Sequence, residues 1–348
     1  MLAAGRGMDA SAVNPEIDDQ GAELSLIAAL VPSLDERSAI DVGSEHGAVA
    51  ASLRDAGLAP AWLIEPFPGS VARLRQRFGG DPDVHVLEMA AGAEDGTAEL
   101  HLARDVSGES LDAFNTLRPE RSGPDLVWEA AVEVRMRSLD SLREAGEIPG
   151  RVGLLKIDAE GADPDVLRGA GGIGAEIVMV EFWGDLPDTL GPCPAGLDEL
   201  RSLVEPLGPR RFLFVRHGPR HVSIGRWDTA DPGEGEWGNL IFVADSLVGA
   251  AEAALPELDR GLRARGERLI AAQETAAAER LALIEQLSEE ADARLELIER
   301  LTQEAEKRRG PLERLRRRRG GPSDRSAGAP GFEALDDVDQ EGSGGRAV

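Results

Sequence analysis

Lys156, Asp158 and Glu160 stand two residues apart in VGLLKIDAEGADPDVLRGA, residues 152–170. In a strand that spacing puts all three on one face, with Leu155, Ile157 and Ala159 on the other. Charges behind an apolar run such as VGLL are costly to bury unless they are paired or used. Open α/β sheets bind ligands at the carboxyl ends of their strands, and carboxylates there can hold a hydroxyl group or take its proton. Asp163 reads as a helix N-cap and Pro164 as the first helical residue, which makes Asp158 and Glu160 the lip of a turn. An internal Lys156–Asp158 ion pair that merely fixes the turn is the competing account. Glu181, closing EIVMVE, reaches the same sheet edge. Three carboxylates there suit a divalent cation such as Mg²⁺, but the spacing requires no metal and none is assigned.

A second segment, AIDVGSEHG at residues 39–47, runs an apolar strand into Asp41 and then into a loop that opens a helix. Gly43 and Gly47 let the backbone turn sharply and approach a ligand. Ser44 lies between them, and the free N–H groups of the helix start suit an anionic group. A dinucleotide fingerprint needs G-x-G-x-x-G, its second glycine beneath the pyrophosphate. Counted from Gly43, those places hold Glu45 and Ala48, and a carboxylate repels phosphate. S-adenosylmethionine carries no phosphate: acids around the loop suit its ammonium and sulfonium charges, and the helix start its carboxylate. Glu65 closes AWLIE, where an acid can accept both ribose hydroxyls. His46 has two readings, a helix-start residue or a base for an acceptor hydroxyl.

The elements that would position these groups alternate along the chain. Short apolar runs (AIDVG, AWLIEP, VHVLEMA) are separated by helical stretches at residues 47–56 and 69–78, after an amphipathic stretch, AELSLIAALV. Strands alternating with helices imply βαβ units and a parallel sheet. TAELHLA and VEVRMRSLD read as additional strands. EIVMVEFWG, RFLFVRHG and NLIFVAD complete the sheet, the last two as an antiparallel pair at its edge. His217 and His221 fall in what reads as a polar loop.

Taken in order, AIDVGSEHG, LIEPFP, VLEMAAGAEDGTAEL, VEVRMRSLDSL, LLKIDAEGADPDVLRGA and IVMVEFWG resemble the FkbM family of methyltransferases, and WGNLIFV resembles the end of such a domain. The likeness spans roughly residues 38–245. It implies a Rossmann-like class I methyltransferase fold, a mostly parallel sheet with an antiparallel edge strand. It also implies O-methyl transfer from S-adenosyl-L-methionine to sugar or polyketide hydroxyls. By that match Asp41, Gly43, Ser44 and Gly47 form the loop at the methionine end, and Glu65 holds the ribose. Met89 and Ala90 border the adenine, while Asp158 and Glu160 sit by the sulfonium or the acceptor. The chain departs from the family at Ser44–Glu45–His46, where Ala-Asn-x is usual. A non-catalytic methyltransferase-like scaffold that recruits partners through its tail is the alternative.

The bulk numbers bound the rest. Among 348 residues, 64 are acidic and 38 basic, a net charge of −26, which repels nucleic acid. A single cysteine, Cys193, excludes an internal disulfide or cysteine cage. No apolar signal core or membrane-length run occurs, so a cytoplasmic protein is expected. Residues 1–21 read as a disordered leader, 22–248 as the methyltransferase domain, 249–309 as a helical segment and 310–348 as a basic cluster with a disordered tail. Within the helical segment ERLALIEQLSEEAD is followed by ARLELIERLTQEAE. Ile270, Ala277, Ile284, Ala291, Ile298 and Ala305 recur every seven residues, with Leu287 and Leu301 in the next seam position and Arg280 and Arg294 in the alternate ones. That pattern predicts a coiled coil and a homo-oligomer, with packing of the stripe onto the chain's own catalytic domain as the alternative. Arg314 and Arg316 to Arg319 are solvated charge, a protein-docking patch, or a contact with an anionic membrane surface.

Overall fold

The computed structural model describes residues 20–105, 107–119, 127–184, 194–218, 221–233 and 236–319. The expected leader up to residue 19, the tail from residue 320 and Cys193 lie outside the described residues, as do the side chains of the basic cluster. The chain divides into two compact units, residues 1–273 and 274–348.

The first unit opens with helix α1 (Gly21–Leu30), followed by β1 (Ala39–Val42), α2 (Ala48–Asp55), β2 (Ala61–Glu65), α3 (Pro68–Phe78) and β3 (Val84–Glu88). Two insertion strands, β4 (Ala90–Ala91) and β5 (Gly96–Arg104), pair with β6 (Val127–Arg137) in a separate three-stranded sheet. Next come α4 (Leu139–Glu144), β7 (Arg151–Ile157), α5 (Asp163–Arg168), β8 (Gly174–Trp183), α6 (Leu197–Val204), β9 (Arg211–Gly218), β10 (His221–Ile224), β11 (Trp237–Val243) and α7 (Val248–Arg319).

The main sheet has the order β10-β9-β11-β8-β7-β1-β2-β3. From β8 to β3 every pairing is parallel. Strand β11 enters antiparallel between β8 and β9, and β10 closes the edge antiparallel to β9. The fold is thus α/β with a mostly parallel sheet, and the pairing of RFLFVRHG with NLIFV is present as β9 with β11. RFLFVRHG runs as strand to its last residue, so His217 lies in β9 and His221 in β10, not in a loop.

Both faces of the sheet are covered, which is why β7 and β8 read as near-continuous apolar runs. One core holds Ile40, Leu155, Ile157, Val178 and Val180 beneath α4, α5 and α6. The opposite core holds Leu154, Ile177, Met179, Leu213 and Ile241 against α1 and the first turns of α7. Helix α1 is more buried than an amphipathic pattern predicts: Ala22, Leu24, Leu26, Ile27 and Leu30 are all inside, and so is Glu23. Helix α7 runs 72 residues and passes through Pro256 and Gly261. Packing of Ala251, Leu255, Leu258 and Leu262 onto the second core outweighs their helix-breaking tendency. No helix among the described residues is long and apolar enough to cross a membrane.

Candidate active site

The carboxyl ends of β1, β2 and β7 meet at one edge of the sheet. Asp41 and Lys156 are cross-strand neighbours, and period two points both toward the α1 side of the sheet. Lys156 Nζ lies 3.1 Å from Asp41 Oδ1, 3.3 Å from Asp158 Oδ2 and 3.4 Å from the Gly43 carbonyl oxygen. Lys156 and Asp41 are fully enclosed, whereas the Asp158 side chain keeps 21% of its exposure. Burial alone would lower the Lys156 ammonium, but the charges of Asp41 and Asp158 outweigh it and hold it above its ordinary range. Lys156 is therefore a buried counter-ion that steadies two carboxylates, one structural and one facing the site. Asp41 serves here beneath the loop rather than at its surface.

The loop after β1 is shaped by its glycines. Gly43 has φ +74°, and a Cβ there would lie 1.8 Å from the Asp158 carbonyl oxygen. The two loops that form the site thus touch backbone to backbone. Gly47, at φ +79°, precedes α2, and a Cβ there would press on Phe78 and Leu74 at 2.6 and 2.8 Å. Ser44 is buried and donates its hydroxyl to the Asp41 carbonyl at 2.7 Å. No side chain caps the start of α2, which leaves that end open for an anionic group. Glu45 and Glu160 both adopt left-handed backbone, φ 47° and 48°, and such strain in non-glycine residues concentrates at functional loops.

Glu65, at the end of β2, is 7% exposed and accepts the backbone N–H groups of Glu45 and Phe67 at 2.8 Å each. Burial raises its carboxyl to about 7, against the pull of those two donors and with help from the charges of Glu45 and Asp41. Met89, 6% exposed, follows β3 and donates its N–H to the Glu65 carbonyl; Ala90 begins β4 and is equally enclosed. Glu65, Met89 and the Gly43 loop therefore form one contiguous wall.

On the far side, Glu160 accepts the Thr116 hydroxyl on its carbonyl at 2.7 Å. Helix α5 begins at Asp163, with Ala162 as its N-cap. Asp163 is thus the first helical residue, not the cap, and its carboxylate folds back onto the Gly161 N–H at 3.1 Å. His46 is 47% exposed, with Nδ1 2.9 Å from Glu45. It stands on the outer rim of the loop and makes no described contact with the Lys156–Asp158 group. Among the described residues no cluster of three or more His, Cys, Asp or Glu side chains is disposed to hold a metal ion.

Sequence reasoning missed the contribution of α1. Gln20, placed in the expected leader, donates its side-chain amide to Asp158 at 2.8 Å. One turn on, Glu23 Oε1 lies 2.6 Å from His217 Nε2 and accepts from Asn239 Nδ2 at 2.8 Å. Register places Asn239 beside Glu181 and Trp237 beside His217, and the His217 and Trp237 rings stack at 4.3 Å. A polar belt thus crosses the sheet under α1, from Asp41 through Lys156 and Asp158 to Asn239 and His217. The signal was one charge, Glu23, in an otherwise apolar helix.

Residues 41–185 match the family model described as the methyltransferase FkbM domain. No curated protein matches the chain. Solved structures similar to it include the N-terminal domain of EvdMO1 with S-adenosylhomocysteine bound, 11% identical, covering 64% of this chain and 79% of that one at a TM-score of 0.33. An rRNA methylase from Streptococcus thermophilus is 9% identical, covering 63% and 94% at 0.32. A precorrin-6y C5,15-methyltransferase from Geobacter metallireducens is 8% identical, covering 63% and 86% at 0.30.

Proposed function

From the premise that residues 41–185 form an FkbM-family, S-adenosylmethionine-dependent methyltransferase domain, we propose that the chain methylates a hydroxyl of a sugar-like or natural-product acceptor. The observation that carries this reading is the junction of the Gly43 loop with Asp158. It sets a cofactor wall ending in Glu65 directly against a carboxylate lip.

S-adenosylmethionine, when bound, supplies a methyl carbon on a cationic sulfur that departs with the bonding electrons as a neutral thioether. Glu65 would accept the ribose hydroxyls, and the uncapped start of α2 would receive the amino-acid carboxylate. Lys156 offsets one of the two charges of Asp41 and Asp158, and the negative charge that remains, with Glu45, suits the cationic end. Asp158 and Glu160 hold the acceptor hydroxyl, which loses its proton to the lip as its oxygen gains the methyl group. Lys156 and Gln20 both meet Asp158 at Oδ2 and together hold its carboxylate in its rotamer.

Two measurements test this. Asp158→Asn keeps the shape of the lip but removes its charge, and turnover is expected to fall by roughly 10²-fold or more, with little change in thermal stability. Full turnover in that variant, assayed on a panel of glycosyl acceptors, would remove Asp158 from the reaction.

The second concerns pH. Glu65 must be ionised to accept both ribose hydroxyls, and its folded carboxyl sits at about 7, against 4.5 unperturbed. Below that value the proton competes, so affinity for S-adenosylhomocysteine should weaken roughly tenfold per pH unit. The sign for stability is opposite. Between pH 4.5 and 7 the folded chain holds the proton more tightly than the unfolded one, so this group destabilises the fold as pH rises. Calorimetric titration from pH 6 to 8 reads the first effect. A flat profile in the wild type, or an unaltered slope in Glu65→Gln, would separate Glu65 from the ribose.

A further inference from the structure

The second unit presents a regular apolar stripe that the catalytic reading does not use. Ile284, Leu287, Ile298 and Leu301 are 62, 54, 59 and 55% exposed on α7. Residues seven apart on a helix share one seam. Its first position holds Ala277, Ile284, Ala291, Ile298 and Ala305; its second holds Arg280, Leu287, Arg294 and Leu301. The occupants alternate, so that each heptad with a large apolar pair is followed by one with Ala and Arg.

That alternation selects a partner and a direction. We propose that this part of α7 pairs with the same segment of a second copy, antiparallel, about a twofold axis between Asp292 and Ala293. Parallel pairing in register sets Arg280 and Arg294 against their own copies, like charges face to face in the seam. Parallel pairing shifted by one heptad sets Leu287 against an arginine. Antiparallel pairing instead brings first positions opposite second positions. About the stated axis Ile284 meets the partner's Leu301, and Leu287 meets the partner's Ile298. Arg294 lies over the partner's Ala291 and Arg280 over the partner's Ala305, the small residue leaving room for the aliphatic stem. Glu290 and Glu304 flank those alanines in sequence, so each guanidinium finds a carboxylate on the facing helix. Within one chain Arg294 already leans toward Glu290, at 3.8 Å. A shift by one fourteen-residue repeat no longer pairs all four of these apolar residues with one another: toward the amino end it sets Ile298 against the partner's Gln273.

The test uses the full chain with Cys193→Ser and a nitroxide label at Ala278→Cys, an exposed position outside the seam. Light scattering should give a dimer. Spin–spin distances should be about 44 Å, the label's separation across the axis at ~1.5 Å per residue. A separation within roughly 20 Å, one interhelical spacing plus label arms, means parallel helices and overturns the proposal, as does a monomer or a larger oligomer. Charge reversal gives an independent reading. Arg280→Glu with Arg294→Glu should weaken dimerisation roughly tenfold or more, as should Glu290→Arg with Glu304→Arg. Mixing the two variant chains should restore it, since every seam contact then joins opposite charges. Failure of the mixture to associate, with helicity intact by circular dichroism, would also overturn the proposal.

Discussion

Lys156→Met is expected to lower the free energy of unfolding by about 3–5 kcal/mol, the range for a buried ionic group stripped of one partner. Lys156 is the cation that meets both Asp41 and Asp158. Methionine matches its length but leaves the Asp41 carboxylate enclosed against an apolar side chain. The pH dependence identifies the cause. Asp41 is already raised by burial, and loss of Lys156 raises it further. The folded variant therefore binds a proton that the unfolded chain releases, and the deficit should shrink as pH is lowered from 8 toward 5. Urea unfolding at several pH values measures this. A deficit that stays constant would show that packing, not charge, accounts for the loss. Lys156→Met with Asp41→Leu should recover much of the stability, since an apolar pair can replace a buried ion pair with little cost, yet leave Asp158 unsupported and turnover low.

Gly43→Ala should have the next largest effect, through sterics alone. The added methyl would lie 1.8 Å from the Asp158 carbonyl oxygen, in a backbone conformation at φ +74° that alanine resists. Neither group is the end of a flexible side chain, so strand β1 and the β7 turn must separate. A loss of at least about 3 kcal/mol is expected from strain and displaced packing together, along with failure to bind S-adenosylhomocysteine. Gly108 provides the control. It too has positive φ, +87°, but nothing lies within 4 Å of its would-be Cβ. Gly108→Ala should therefore cost only about 1 kcal/mol, the conformational part. Thermal melts of the two variants separate the contributions. Equal losses would mean that the contact with Asp158 is unimportant.

These two residues also mark how far the sequence could be read. The order AIDVG, AWLIE, VHVLE and LLKID, each ending in or near an acid, identified the parallel strands. Gly43 and Gly47 were legible because positive φ leaves few alternatives to glycine. Lys156 was legible as a charge in an apolar strand, but its pairing with Asp41, on a strand far earlier in the chain, depended on β1 and β7 being neighbours. Helix propensity and strand periodicity are local, and register is not. For the same reason RFLFVRHG looked as though it ended in a loop, when pairing with β10 and β11 carries it through His217. The role of α1 was hidden by Glu23 itself, since a carboxylate in a short helix reads as its wet face unless its two buried partners are known. Helix α7 continues through Pro256 and Gly261, breakers by propensity, because the packing of Leu255, Leu258 and Leu262 is tertiary.

Helix α1 bears on how the molecule is made. It is the first described element to leave the ribosome, yet its polar contacts lie far downstream: His217 is 194 residues away and Asn239 216. Strand β11, which carries Asn239, must also slot between β8 and β9, both synthesised before it. Throughout most of translation Glu23 therefore has no place to be buried, and α1 has no complete surface to dock on. The sheet can assemble from β1 through β8 while α1 waits. Glu23 can meet Asn239 only once β11 is in place, while Gln20, the residue before α1, lies against Asp158. A nascent or truncated chain that lacks β11 would lack Asn239, and with it one of the two buried partners of Glu23.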